Sequence, residues 1–212
     1  MSYLIRNEVL TDQRRVEEIT REAFWNIHVP GCDEHYLVHS MRDHKDFIKE
    51  LDYVLLYNDE IIGNIMYTKS SLVGRNNERK EILTFGPVSI LPEYQKKGFG
   101  SKLIEYSINE ANKKHWEAIV IYGNPNNYVK YGFRSCKRYN VTNTIGEFPC
   151  ALLVNELKQG VLKDAGWTFV ESEAYSIDFT GFEEYEKGFP PRAKEETLTQ
   201  EEFFILSNSR IG

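Results

Sequence analysis

Apolar positions recur along the chain with two periods, and the switches between them lay out the elements. Tyr3 to Val9 reads as a first strand. From Gln13, residues Val16, Ile19, Thr20, Ala23 and Ile27 follow at helical spacing, with Thr11 or Asp12 available as a cap. His28-Val29-Pro30-Gly31 ends that helix, because a residue before proline avoids the helical region and Gly31 suits a turn. A second helical segment follows Asp33, with Tyr36, Leu37 and Met41 on one side. Tyr53 to Tyr57 and Ile61 to Thr68 then read as a hairpin turning at Asn58-Asp59-Glu60. A turn at Gly74 to Asn77 leads into a third strand of the meander, Glu81 to Leu91. Within it, Gly86-Pro87 predicts a bulge or a splayed pairing, since proline has no N–H to give a ladder.

After Gly100 the period becomes helical: Leu103, Ile104, Ser107, Ile108 and Ala111 form one face. Ala118 to Tyr122 is a short buried strand, Asn124 to Tyr131 a turn or short helix, and Gly132-Phe133 leads into a further strand. Cys150 to Val154 reads as the last strand of the main sheet. Beyond about Leu157 the pattern loosens, with glycines and a Gly188-Phe189-Pro190-Pro191 run, yet aromatics such as Trp167, Phe169, Tyr175, Phe182 and Phe203 continue. The expected organisation is one domain over residues 1–155, with residues 156–212 an extension that wraps back onto it without a core of its own.

Composition narrows the class of function. The chain of 212 residues carries a net charge of -6, which lacks the basic field that phosphate neutralisation asks of a nucleic-acid binder. No run approaches the roughly 18 apolar residues of a membrane helix, and the start, Met1-Ser2-Tyr3-Leu4-Ile5-Arg6, lacks a signal-peptide core. Three distant cysteines (Cys32, Cys136, Cys150) make no disulfide framework. A cytoplasmic protein with neither nucleic acid nor membrane as partner is expected.

The chemistry concentrates where strand Val88-Ser89-Ile90 runs through Leu91-Pro92-Glu93-Tyr94 into Gln95-Lys96-Lys97-Gly98-Phe99-Gly100 and a helix. The first amides of a helix have no intrahelical acceptor and meet the positive end of its dipole, so such a loop is an anion site. Two glycines let the backbone approach closely, and Lys96 and Lys97 add charge. It lacks the third glycine of a dinucleotide fingerprint and the Gly-Lys-Ser/Thr end of a P-loop. Read alone, it is also consistent with an ordinary strand-to-helix turn.

The run Val88 to Leu103 closely resembles the acetyl-CoA motif of the GNAT acetyltransferase superfamily, Gln/Arg-x-x-Gly-x-Gly/Ala after a Leu-Pro-Glu-Tyr-like turn. The block Gly123-Asn124-Pro125-Asn126-Asn127-Tyr128-Val129-Lys130-Tyr131-Gly132-Phe133 resembles the family's downstream segment ending Tyr-x-x-x-Gly-Phe. The two stand in the family's order, and the resemblance covers roughly Tyr3 to Val154. The aromatic-rich tail resembles that of a subset of small bacterial members.

The resemblance implies a mixed α/β (α+β) fold: a twisted, mostly antiparallel sheet with helices on both faces and a splayed central strand. It implies an acetyl-CoA-dependent N-acetyltransferase transferring to a primary amine, small molecule or peptide, by direct attack in a ternary complex. Acetyl-CoA is then the acyl-donor cosubstrate, no metal is expected, and a homodimer is compatible because many relatives dimerise. Backbone groups of Val88 and Ile90, around Ser89, would pair with pantetheine, and amides from Gln95, Lys96, Lys97, Gly98, Phe99 and Gly100 to Ser101 would hold the pyrophosphate. Asn124 or Asn127 would lie along the pantetheine arm. Tyr128 matches the tyrosine that protonates the departing thiolate or hydrogen-bonds its sulfur; its plain alternative is an aromatic packed under Gly132-Phe133, a role that suits Tyr131 better. Glu34, His35 and Glu81 are the candidate bases. His35 and His39, with Cys32 and His44 nearby, have a spacing that can hold zinc but read as a solvated face. A CoA-binding sensor or partner-docking module without turnover, or transfer of a longer acyl group, stays open.

Overall fold

The hydrophobic meander is the centre of the sheet. In the computed structural model, which describes residues 2–163 and 166–212, the elements run β1 (Tyr3–Asn7), α1 (Gln13–Phe24), α2 (Glu34–Met41), β2 (Tyr53–Tyr57), β3 (Glu60–Gly74) and β4 (Arg79–Ile90). They continue as α3 (Phe99–Lys113), β5 (Ala118–Tyr122), α4 (Pro125–Tyr128), β6 (Arg134–Ser135), β7 (Val141–Thr142) and β8 (Leu152–Glu156). The tail adds β9 (Trp167–Val170), α5 (Phe182–Glu186) and α6 (Leu198–Asn208). Helix α1 stops at Phe24, short of the periodic Ile27, because Asn26 turns into the left-handed region and its N–H bonds the Gly31 carbonyl at 2.8 Å. No helix among the described residues is long and apolar enough to cross a membrane.

The fold is mixed α/β, with strand order β1-β2-β3-β4-β5-β8-β6. Every pairing along that path is antiparallel except β4 with β5. Strand β3 is buried without interruption from Ile62 to Thr68, as a strand covered on both faces must be. One cover is α1, whose Val16 clusters with Val38 and Met41 of α2 and with Val54 and Met66 of the sheet. The other is α3, whose Leu103, Ile104 and Ala111 pack with Leu55, Ile65, Leu83 and Ile119. Its polar Ser107 is buried but satisfied, accepting from the Tyr67 hydroxyl at 2.9 Å and donating to the Ile104 carbonyl at 2.9 Å.

The sheet does not end with the Cys150–Val154 segment. β9 pairs antiparallel with β3 from Ser71 to Gly74 and parallel with β7. Trp167 and Phe169 are the alternate buried residues that fasten it, a pattern of only four residues that a pass for longer runs overlooks. Downstream, the chain lies along α1 and α2. Arg21 donates to Glu186 at 2.5 Å, Trp25 donates its indole N–H to the Ala193 carbonyl at 2.8 Å, and Arg14 stacks 3.7 Å over the Phe189 ring.

A buried charge cluster ties α2 to the start of the chain. Arg42 bonds Glu8 at 2.7 Å and Glu17 at 2.9 Å, and the neighbouring Asp52 is buried with one carboxylate oxygen unpartnered. Burial, reinforced by Glu8, pushes Asp52 up to about 8. An unfolded aspartate titrates near ~3.9, so between those values the folded state holds a proton that the unfolded state lacks. Stability should therefore fall as pH rises from the acid side through about 8. Asp52→Asn, which mimics the protonated acid, is expected to flatten that fall and to be more stable than wild type above pH 8, with Glu8 keeping a share of the slope. Urea unfolding at several pH values reads this out, and an unchanged slope in the variant would contradict it.

Candidate active site

A gap between two parallel strands positions everything else in the site. β4 and β5 are paired only at Leu83↔Ile119; beyond that pair, toward the carboxyl ends of both strands, no ladder joins them. The departure coincides with Gly86-Pro87, where β4 carries an extra residue against β3: Phe85 faces Tyr67, and Val88 faces Ile65. Past the bulge, β4 regains its register with β3, and the Leu91 N–H bonds the Ile62 carbonyl at 2.9 Å. Antiparallel alternation then turns the backbone groups of Val88 and Ile90 away from β3, into the gap. The Ser89 side chain faces the other way: its hydroxyl donates to Thr20 Oγ1 at 3.1 Å, which donates in turn to the Val16 carbonyl. Ser89 thus anchors α1 behind the strand and leaves the gap to its two neighbours.

The loop at the end of β4 closes the gap with amides. Its first helical hydrogen bond runs from Lys102 N–H to the Gly98 carbonyl at 3.1 Å, so Phe99, Gly100 and Ser101 lie ahead of it with N–H groups that have no acceptor among the described residues. The amides of Lys96, Lys97 and Gly98 also have no acceptor among the described residues. Gln95 departs from the expectation: its N–H bonds the Pro92 carbonyl at 3.2 Å, and its side chain donates to the Ile90 carbonyl at 2.9 Å. It braces the loop against β4 and leaves amide donation to residues 96–101. Gly98 caps the helix at φ 87°, in the left-handed region, and a Cβ there would meet nothing within 4 Å, so the loop presents bare backbone to solvent. Lys97 lies over the Tyr94 ring at 5.6 Å.

Tyr128 ends α4 on the α3 side of the gap. Its ring packs on Phe85, beside the bulge, at 5.8 Å and on Phe133 at 5.9 Å. Its hydroxyl has no hydrogen-bond partner among the described residues, and burial pushes the phenol up to about 12. It is therefore a protonated donor at neutral pH. Gly123 makes room for it, since a Cβ there would lie 2.6 Å from the Tyr128 ring. Tyr131 takes the structural part: its hydroxyl donates to Ser101 Oγ at 2.8 Å, joining this segment to α3. Asn124 caps α4, accepting from the Asn126 N–H at 3.0 Å, while Asn127 is exposed.

The three carboxylate and imidazole groups predicted as bases are not brought to Tyr128. Glu81 precedes the Leu83↔Ile119 pair, at the closed end of the gap, and pairs with Lys69 at 3.3 Å. Glu34 holds His28 at 2.7 Å. His35 is fully buried against Tyr185 and Phe189 of the tail, with Nε2 on Glu186 at 2.7 Å and its pKa lowered by desolvation. His35 thus serves to dock the tail, an interaction that sequence spacing does not display, while Glu34 is held by the turn before α2. Two further side chains stand at the gap, one from the tail and one from β5, that the sequence did not single out as functional. The Tyr175 hydroxyl donates to the Gly86 carbonyl at 3.3 Å, and Tyr122, closing β5, packs on Phe169 at 5.9 Å.

Comparisons with known proteins converge on one family. Residues 50–135 match the model of the acetyltransferase (GNAT) domain. A curated relative from Escherichia coli K12, the uncharacterized N-acetyltransferase YjhQ, is 26% identical over 127 residues, 59% of this chain and 66% of its own length. The chain thus spans about two thirds of that relative. Among solved structures, the GNAT family N-acetyltransferase YhbS from Escherichia coli, crystallised with CoA, superposes with a TM-score of 0.71 at 18% identity, covering 82% of this chain and 92% of its own. A GNAT acetyltransferase from Brucella melitensis, crystallised with acetyl-CoA, gives 0.64 at 21% identity over 82% and 98%. At such identities the likeness concerns the fold.

The packing at Gly123 is testable. Gly123→Ala is expected to cost about 1–3 kcal/mol by overpacking and to displace the Tyr128 ring. Chemical denaturation together with the Tyr128 ring signals in NMR would check it; wild-type stability with unmoved signals would contradict the contact.

Proposed function

We propose that the chain, whose residues 50–135 match the GNAT acetyltransferase domain, is an acetyl-CoA-dependent N-acetyltransferase acting on a primary amine by direct attack in a ternary complex. The observation that carries this reading is that one gap has free amides at one end and an unpartnered, protonated phenol on its wall. The relatives crystallised with CoA and acetyl-CoA support the choice of donor.

In this reading the amides of residues 96–101 hold the pyrophosphate, helped by the α3 dipole. Val88 and Ile90 offer their outward backbone groups to the pantetheine amides, with part of the Ile90 carbonyl already engaged by Gln95. Acetyl-CoA supplies an activated acyl group with a thiolate leaving group. Tyr128 donates its phenolic proton to that sulfur, and the fixed placement of both reactants contributes much of the acceleration. Asn127, exposed beside Tyr128, lines the approach of the pantetheine arm.

A second reading has one observation behind it: Glu34, His35 and Glu81 are all engaged elsewhere, as a CoA-binding sensor without a base would allow. Turnover separates the two. Calorimetry should show binding of acetyl-CoA, and thiol release over a panel of primary amines should show transfer. Absence of any heat with acetyl-CoA would sink both readings, and binding without thiol release would leave the sensor. Gly98→Val places a branched side chain in the left-handed region, costing about 1–2 kcal/mol, and should weaken acetyl-CoA binding while leaving the fold intact by circular dichroism. Tyr128→Phe should lower kcat by about 10²-fold or more with little change in acetyl-CoA affinity; an unchanged kcat would remove Tyr128 from the chemistry.

A further inference from the structure

Glu171 follows β9 directly, and its backbone is fixed from both sides. Val170 pairs with Ser71 in the ladder, and the Ser172 N–H bonds Ser70 Oγ at 3.0 Å while its hydroxyl donates to Asp46 at 2.7 Å. By strand alternation Glu171 follows on the face of β9 that carries Phe169, whose ring packs on Tyr122 at 5.9 Å, and it stands four residues before Tyr175. Tyr122 closes β5, and burial followed by the charge of Glu171 pushes it up to about 12. Tyr175, bonded to Gly86 at the β4 bulge, is pushed up by burial and then by the same charge. Glu171 therefore stands between a ring anchored on β4 and a ring ending β5, the two strands that part. Tyr122 shares the side of β5 taken by Ala118 and Val120, opposite to Ile119 and Ile121, which pack toward α3 with Tyr128. The carboxylate and the phenol thus flank the gap from opposite faces.

Its surroundings differ from those of the paired acids of this chain. Glu34, Glu81, Glu117, Glu147 and Glu186 are ion-paired, whereas Glu171 has no ion-pair or hydrogen-bond partner among the described residues. Its side chain reaches solvent, yet surrounding protein desolvates it enough to push it up to about 7.

We propose that Glu171 is the acceptor-side carboxylate of this site, which receives a cationic primary amine between Tyr122 and Tyr175 and takes its proton before attack. This rests on the N-acetyltransferase reading and narrows the acceptor to protonated amines whose cation meets one carboxylate and two aromatic faces. Besides the two tyrosines, the charged groups of this region are Asp46, held by Ser172, and Arg210, which acts on Tyr122.

One ammonium proton passes to Glu171, and the freed nitrogen pair forms the N–C bond while the carbonyl π pair moves to oxygen. That pair returns as the C–S bond breaks, and the sulfur takes the Tyr128 proton. The second proton leaving nitrogen restores the phenol through water, and the proton on Glu171 goes to solvent. The products are the acetylated amine, CoA thiol and one proton.

The test uses the full chain saturated with CoA and titrated calorimetrically with tyramine and with spermidine at pH 6 and pH 8. A carboxylate half-ionised at about 7 predicts about tenfold tighter amine binding at the higher pH. Glu171→Gln should weaken the amine and abolish that dependence while binding acetyl-CoA like wild type, and Glu171→Asp should recover part of it. Wild-type amine affinity and pH dependence in the glutamine variant would overturn the proposal. So would CoA-saturated wild type that binds neither amine. Failure of wild type to bind acetyl-CoA would instead overturn the reading of the preceding subsection.

Discussion

The separation of β4 from β5 after a single pair is the constraint from which the rest of the site follows. A parallel sheet that stayed closed would satisfy its own backbone and leave nothing to offer a ligand. Here the bulge at Gly86-Pro87 lets β4 remain laddered to β3 while its other edge goes unpaired, so Val88 and Ile90 present polar backbone to the gap. The helix that follows starts at the open end, which brings its orphan amides to the same opening. Buried backbone groups without partners are costly, and the arrangement persists because these groups face solvent or a ligand and are not sealed inside.

The faces of the gap are built by different parts of the chain. The α3 side is local: Tyr128 and Tyr131 come from the segment after β5, which Tyr131 ties to Ser101. The opposite side belongs to the tail, which enters the sheet as β9 and sets Tyr175 on the Gly86 carbonyl. Farther on, the tail is clamped by Arg21 and His35 converging on Glu186. Breaking one partner of such a part-buried cluster leaves another charge desolvated, so tail docking and the order of the tail's side of the gap are coupled. In the proposed reading, the core domain handles the donor and the extension shapes what the acceptor meets.

Much of this was legible in the sequence, and the failures have physical causes. The meander, the amphipathic α3 and the loop before it follow from periodicity, glycines and turn residues, which act over short distances. The Gly86-Pro87 irregularity followed from the missing N–H of proline. Gln95 was misassigned as an amide donor because its type says nothing about the Pro92 carbonyl that captures its N–H. Glu34 and His35 looked like free chemistry on an exposed helix; their partners are His28, six residues away, and Glu186, 151 residues away. Glu171 carries no local signal at all. It becomes distinctive only when β9 lays it beside Tyr122 and Tyr175.

The most direct measurement of the account is a crystal structure of the full chain grown with CoA. The pyrophosphate should lie within hydrogen-bond reach of the amides of residues 96–101, with the pantetheine arm running between β4 and β5 and the sulfur beside Tyr128. Ligand density elsewhere on the molecule, with the gap between those strands empty, would contradict it.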